Sequence, residues 1–232
     1  MYKLLNILFK KYTAKNFFYS YSGIDILIDT IFKNQKKGFY VDVGCSHPIK
    51  NNNTYLLHRR GWCGTNIDLD LQNIKIFDYA RPKDNNVNSA ISDKASEENL
   101  YFYHNKSPIN TLSQELSSYQ KAKVSKIIKV KTVKLNTILE NSPFFKHSID
   151  FMSIDVEGLE FKILKYFDFA KYKPKVIVVE FLDTELPKLE IKNLNITNVL
   201  KSDIYKLLIS KNYTLANWLH SDLVFVSKDF KD

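Results

Sequence analysis

The run Lys175-Val-Ile-Val-Val-Glu180, opened by Pro174, constrains the fold more than any other segment. A strand with no polar alternation buries both of its faces, which places it in the middle of a sheet covered by helices on either side. A second apolar strand, Ile149-Asp-Phe-Met-Ser-Ile-Asp155, also ends on an acid, and a helix to about residue 167 is expected after its glycine-containing turn. Residues 22–36 read as a helix with Ile24, Leu27, Ile28 and Ile31 on one side, and a strand over 38–44 follows. After a loop over 45–52, Asn53 or Thr54 caps a helix to Arg60, and Gly61 and Gly64 bracket the turn into a strand over 65–68. A third strand is expected at 87–91, a hairpin arm at 100–104, an extended excursion at 129–133, a helix at 201–210 and strands near 213–218 and 223–226. Strands alternating with helices give a doubly wound, Rossmann-like α/β sheet of seven strands.

At 232 residues one domain over 38–232, with a helical appendage over 1–37 packed on it, is the simplest organisation. The opening eleven residues carry a short apolar patch, Leu4, Leu5, Ile7, Leu8 and Phe9, flanked by lysines, and no small-residue cleavage site. A helix docked on the domain is the preferred reading; a helix lying on a membrane surface is the lesser one. No apolar run approaches the ~20 residues of a membrane span. Cys45 and Cys63 are too few for a metal knuckle or a disulfide framework, which fits a reducing cytoplasm.

The net charge of +9 raises a nucleic-acid hypothesis. All but three of the 34 basic residues, Arg59, Arg60 and Arg81, are lysines, mostly interspersed with acids and apolar residues. Lysine lacks the planar fork that clamps phosphates or reads bases. A solvated basic surface is therefore expected, with anionic substrates or membrane proximity behind it, and no nucleic-acid partner.

Chemistry concentrates at strand ends. In Phe39-Tyr-Val-Asp42-Val-Gly44-Cys45-Ser46 the glycine lets the backbone pass close to a bound nucleoside, and Asp42 either accepts hydrogen bonds from a ligand's ammonium or orders the loop. A Gly-x-Gly-x-x-Gly fingerprint is absent, which argues against NAD or FAD. Asp68 ends the next strand, where one carboxylate can accept from both hydroxyls of a ribose; an exposed strand-end acid is the plain alternative. Asp155, Glu157 and Glu180 should converge on one rim, and three carboxylates there repel unless they meet a cation or keep a proton. One of them could instead cap the following helix. His47 could serve as a base, position an acceptor, or be a hydrogen-bonded loop residue. His58, His104, His147 and His220 have no metal-ligand spacing, and neither a Gly-x-Ser-x-Gly elbow nor a P-loop is present.

Together these segments resemble the FkbM family of methyltransferases over residues 20–226. The match is carried by Gly38-Phe-Tyr-Val-Asp-Val-Gly-Cys-Ser-His-Pro48, Asn53-Thr-Tyr55, Gly61-Trp-Cys-Gly-Thr-Asn-Ile-Asp68, Arg81-Pro82 with Asp84, Ala90-Ile-Ser-Asp93, Ile154-Asp-Val-Glu-Gly158 and Pro174-Lys-Val-Ile-Val-Val-Glu180. The resemblance implies a class I methyltransferase fold with an antiparallel last strand, S-adenosylmethionine as cofactor, and commonly O-methylation of a hydroxyl on a sugar, glycan or other natural product. Candidate cofactor contacts are then Asp42, Gly44, Cys45 and Ser46 at the first turn, Asp68 and Leu69 at the second, and Ile91 and Ser92 at the third. Asp155, Glu157 and His47 are the candidates for acceptor positioning and proton removal. No metal is assigned, although a divalent cation on the carboxylate rim stays open as a variant. Where the family often shows Ser-Gln-x-Gly-Glu-Asp, this chain has Ser20-Tyr-Ser-Gly-Ile-Asp25, so Tyr21 and Ile24 replace two polar residues. A catalytically inactive basic module that binds nucleic acid or an anionic membrane is the rival reading.

Overall fold

The run at 175–180 does lie at the heart of a sheet. In the computed structural model, which describes residues 18–104, 107, 110–119, 123–181 and 196–230, seven strands stand in the order β3-β2-β1-β7-β8-β10-β9. They are β1 (Phe39–Val43), β2 (Cys63–Asp68), β3 (Asn85–Asn88), β7 (Phe151–Ile154), β8 (Val176–Glu180), β9 (Tyr213–Leu219) and β10 (Asp222–Ser227). Neighbours from β3 to β8 run parallel, whereas β10 runs antiparallel to both β8 and β9. The last strand in sequence is therefore the reversed one, as expected, and it is inserted between its two predecessors.

Alternate residues of the central strands feed two cores. Val41, Val43, Met152, Ile154, Ile177 and Val179 face one, which also holds Leu135, Ile138 and Leu139 of α5 (Leu135–Glu140), Ile163 and Leu164 of α6 (Glu160–Lys165) and Ile204 and Leu208 of α8 (Asp203–Ser210). Tyr40, Phe151, Val176 and Val178 face the other, with Ile24 and Ile28 of α1 (Ile24–Ile31), Leu57 of α2 (Tyr55–Arg59) and Trp62. Fully burying each such side chain contributes about 1.5–3 kcal/mol relative to exposure.

Helix α1 is shorter than the expected 22–36. The guanidinium of Arg60 pairs with Asp29 and takes the carbonyls of Phe32, Lys33 and Gln35, so the chain turns away from helical geometry there. The expected third strand divides at Ser89, whose N–H donates to the Asp68 carbonyl. Its first half is β3, and its second, β4 (Ala90–Ile91), leaves to join β6 (Lys126–Val133) and β5 (Ser96–Phe102) in a sheet of order β4-β6-β5. The hairpin arm and the excursion read from sequence are thus partners. Helices α3 (Leu71–Ala80) and α4 (Gln114–Tyr119) follow β2 and β5, and α7 (Ile196–Lys201) precedes α8. The oxygen of Ser202 caps α8 at the Tyr205 N–H. Residues 1–17, including the apolar patch at the start, lie outside the described residues. No helix among the described residues is long and apolar enough to cross a membrane.

Candidate functional site

A cleft of about 1110 Å³ opens at the carboxyl ends of β1, β2, β7 and β8. An open parallel sheet binds ligands on this edge because chain turns there diverge to helices on opposite faces. Gly44, Ser46, His47, Asp68, Leu69, Ile91, Asp155 and Glu157 all line the cleft, together with Glu180. Asp42, Cys45 and Ser92 do not contribute to its lining.

Asp42 faces inward, and of its two candidate roles it performs the loop-ordering one. Its carboxylate accepts from the Asn52 amide at 3.1 Å and the Thr54 hydroxyl at 2.8 Å. Arg81, with no exposed surface, completes this network by donating to Thr54, Tyr40, Asn52 and the Pro48 carbonyl. Burial pushes the Asp42 carboxyl up despite the Arg81 charge beside it. Segments separated by up to 41 residues thus meet around one guanidinium and fix the loop over 45–54. The loop's backbone is bent, with Ser46 and Asn51 at positive φ.

Gly44 is needed for a close approach, and the neighbour is the chain itself. It has φ +81°, and a Cβ there would lie 1.7 Å from the Asp155 carbonyl oxygen. The glycine lets the turns after β1 and β7 touch.

Asp68 stands at the tip of β2, 9% exposed, with its carboxylate held from behind. It accepts from the Ser46 N–H at 2.8 Å, the Asp70 N–H at 2.7 Å and the Asn73 amide at 3.2 Å. Burial raises its pKa, and these donors work against that shift. A carboxylate has about four lone-pair sites. One remains, and a diol donating both hydroxyls takes a second if the Asn73 amide turns toward the ligand.

His47 accepts at Nδ1 from the N–H groups of Ile49, 3.1 Å, and Lys50, 3.0 Å. That assigns the ring proton to Nε2 and makes the nitrogen left for a ligand a donor. Of the three roles considered for it, the loop role is filled, positioning is compatible, and the base role has no available lone pair. Its pKa is lowered by burial first and then by Lys50 and Arg81.

Asp155, Glu157 and Glu180 do converge: one oxygen from each lies within 4.8 Å of the others. Burial drives the Glu180 carboxyl well above the usual carboxylate range, helped by the charges of Asp155, Glu157 and Glu160. Glu157 has φ +56°, a conformation that costs a non-glycine residue on the order of 1–3 kcal/mol and that clusters at functional sites. Its carbonyl is tied to the Thr111 hydroxyl at 2.6 Å. Neither Asp155 nor Glu157 caps α6, which has no side-chain cap; Glu160 instead folds its carboxylate back on the turn, accepting from the N–H groups of Val156 and Gly158. That leaves all three rim acids on the cleft side.

Sequence reasoning missed Asn51, Asn53, Asn73, Ser107, Asn110, His220, Ser221 and Asp222, all of which line the cleft. Asn53 falls inside a segment already singled out, and its amide donates to Ser153. The pairing of Asp222 with Glu180 follows only from the insertion of β10 beside β8. Of the two positions that replace polar residues, Tyr21 lines the cleft against the His220 ring, at 5.0 Å between centroids, whereas Ile24 is buried in the second core.

Fold and site together define a Rossmann-like α/β protein with a deep acidic cleft on its switch-point edge. Residues 42–214 match the family Methyltransferase FkbM domain, and the chain belongs to that family. Among solved structures it is similar to the methyltransferase FkbM from Methylobacillus flagellatus KT, at 14% identity and a TM-score of 0.48, over 82% of this chain and 44% of that one. It is also similar to monomeric WbdD, at 11% identity and a TM-score of 0.43, over 92% of this chain and 42% of that one. The chain spans less than half the length of either solved chain. No curated protein matches it significantly.

Proposed function

We propose that the protein transfers a methyl group from S-adenosylmethionine to a hydroxyl of a small molecule, a sugar or a glycan. The observation that carries this reading is a charge reversal. A chain of net charge +9 lines its cleft with six carboxylates, from Asp68, Asp70, Asp155, Glu157, Glu180 and Asp222, and with no lysine or arginine among the described residues. Such a cleft attracts a cationic ligand and repels phosphates, so it suits a sulfonium donor with an uncharged acceptor and does not suit nucleic acid. The family relationship supports the same reaction, and a cytoplasmic setting accords with two unpaired cysteines.

The residues present fit the donor. Asp68 is pre-oriented by Ser46, Asp70 and Asn73 to hold the ribose, while Leu69, Ile76 and Ile91 offer apolar contact to the base. When bound, the donor supplies a methyl group already activated by positive sulfur. The chain's work is to align the acceptor oxygen with that carbon and to exclude water. With the donor bound, a rim carboxylate, Asp155 or Glu157, would take the acceptor's hydroxyl proton as the methyl group is transferred to its oxygen.

Calorimetry with S-adenosylhomocysteine tests the reading. Micromolar binding is expected, and Asp68→Ala should weaken it by roughly ten- to a hundredfold, the worth of hydrogen bonds to a charged group. Absence of heat in the native protein, with salt-sensitive binding to duplex DNA or anionic vesicles, would favour the inactive basic module.

A further inference from the structure

We propose that the rings of Tyr21 and His220 form a platform on which a pyranose ring of the acceptor stacks, at the end of the cleft away from the donor's ribose. The acceptor role rests on the methyl-transfer reading above, whereas sugar binding at this platform needs only the chain.

Position comes first. Asp68, the carboxylate assigned to the donor's ribose, ends β2, and Asp222 starts β10 opposite Glu180, the last residue of β8. In the order β3-β2-β1-β7-β8-β10-β9 these two ends of the cleft are four strand spacings apart, about 19 Å at about 4.8 Å each. The rim of Asp155 and Glu157 follows β7, between them. An acceptor that presents its hydroxyl at the rim therefore has the rest of its body over β8 and β10. His220 and Ser221 make the turn between β9 and β10, and both line this end of the cleft with Tyr21.

The platform is held in place. Tyr21 is 68% exposed, and its ring meets that of His220 at 5.0 Å between centroids and 68° between planes. Exposure alone would say little, since Tyr79 on α3 is more exposed and lines no part of the cleft. Tyr21 differs in being fixed from both sides. The preceding Ser20 hydroxyl donates to the buried Asp25 carboxylate at 2.7 Å, and the following Ser22 hydroxyl donates to Asp222 at 3.3 Å. The Asn52 N–H donates to the Tyr19 carbonyl and joins this segment to the loop after β1. The partner ring stands on a turn residue at φ +57°, a left-handed conformation that glycine adopts at less cost. A histidine kept there points to a use for its ring.

Chemistry selects the occupant. An aromatic face is negative, and the C–H bonds on one face of a pyranose turn partial positive charge toward it. Tyrosine supplies that contact area with few torsions to freeze. Ser221 and Asp222 beside the rings, and Asn53 toward β7, also line the cleft and suit the hydroxyls at the sugar's edge. A planar aromatic acceptor would use the rings but leave most of that polar edge unmatched, at a cost in desolvation.

Saturation-transfer NMR on the full chain, with S-adenosylhomocysteine present, tests the platform. The probes are methyl β-D-glucopyranoside, methyl α-D-mannopyranoside and methyl α-L-rhamnopyranoside at millimolar concentration, with phenol as the planar control. At least one pyranoside should receive saturation mainly on the C–H protons of one ring face. Tyr21→Ala should weaken its binding roughly threefold to tenfold, the worth of an aromatic contact, and Tyr21→Phe should retain it. His220→Gly, which suits the φ of the turn, should weaken it about two- to threefold. Because Tyr21 is exposed, Tyr21→Ala should melt within about 2 °C of the native protein. No saturation of any pyranoside overturns the platform, as does equal binding in Tyr21→Ala, a loss in Tyr21→Phe as large as in Tyr21→Ala, or a Tyr21-dependent signal from phenol alone. Calorimetry with S-adenosylhomocysteine on the same variants separates the two readings, its affinity holding within about twofold because the sites are far apart. Cofactor heat without Tyr21-dependent sugar binding removes the platform alone. Tyr21-dependent sugar binding without cofactor heat leaves a sugar site and removes the methyl donor.

Discussion

Asp42 lies within β1 and Asp155 directly after the neighbouring parallel strand β7, each followed by a valine, yet their surroundings are opposite. Asp42 pairs in register with Ser153, which puts it one pleat inside the sheet, and the protein surrounds it with Asn52, Thr54 and a fully buried Arg81. Asp155 lies one pleat further out, opposite Gly44, and is exposed on the cleft. Two residues of depth thus separate a carboxylate enclosed by the chain from one that faces the cleft. Side chains two apart share a face, so depth alone divides structure from chemistry here.

The largest effect expected from this contrast is on stability. Arg81→Met keeps most of the buried volume and removes the charge, leaving Asp42 buried with no cation beside it. Breaking one side of such a pair costs about 3–5 kcal/mol, so the melting temperature should fall by roughly 6–20 °C. A thermal scan that finds the variant within a degree or two of the native protein would show that the loop over 45–54 is held by something else. Asp155→Asn should invert the pattern. Melting should stay within about 2 °C, as for most exposed substitutions, and S-adenosylhomocysteine affinity should hold. Turnover should drop by about a hundredfold, the low end of what a proton acceptor supplies. Turnover that survives intact would take Asp155 out of the reaction.

The sequence makes the framework legible because buried strands carry their own pattern. Val176, Ile177, Val178 and Val179 can be apolar on both faces only in a doubly covered sheet, and the two separate cores they enter are that consequence. The tips of β2 and β7 are equally legible, since an acid at the end of an apolar run has few other places to go. Asp42 carried two readings because its decisive partner, Arg81, is 39 residues away, and no local pattern announces that meeting. Glu157 and Glu160 both follow the same turn, and only φ at Glu157 sends one to the cleft and the other back to the Val156 N–H. The far wall, His220 to Asp222, was hidden for a topological reason. It reaches Glu180 through the insertion of β10 between β8 and β9, a long-range choice with no short-range signal.

The smallest expected effect belongs to His47, which lines the cleft like Asp155 but is tied down like Asp42. Its Nδ1 accepts two backbone N–H groups, and protonation there breaks both contacts. The folded loop therefore binds that proton less tightly than the unfolded chain does, in keeping with a pKa lowered mainly by burial. The stabilisation is fully present above the ordinary histidine pKa of about 6.5 and is lost as pH falls through the lower folded value. His47→Gln keeps an acceptor for the two N–H groups and a donor for the cleft, so turnover should stay within about threefold of native; His47→Ala loses those contacts and should cost roughly two- to tenfold. The glutamine variant should also lack the contribution that His47 is expected to make to the native protein's loss of melting temperature as pH falls below the histidine range. A hundredfold loss on His47→Gln, with the loop still ordered, would instead mean that the ring sheds its backbone contacts and takes the acceptor's proton, and the division between held and offered groups would then fail at this residue.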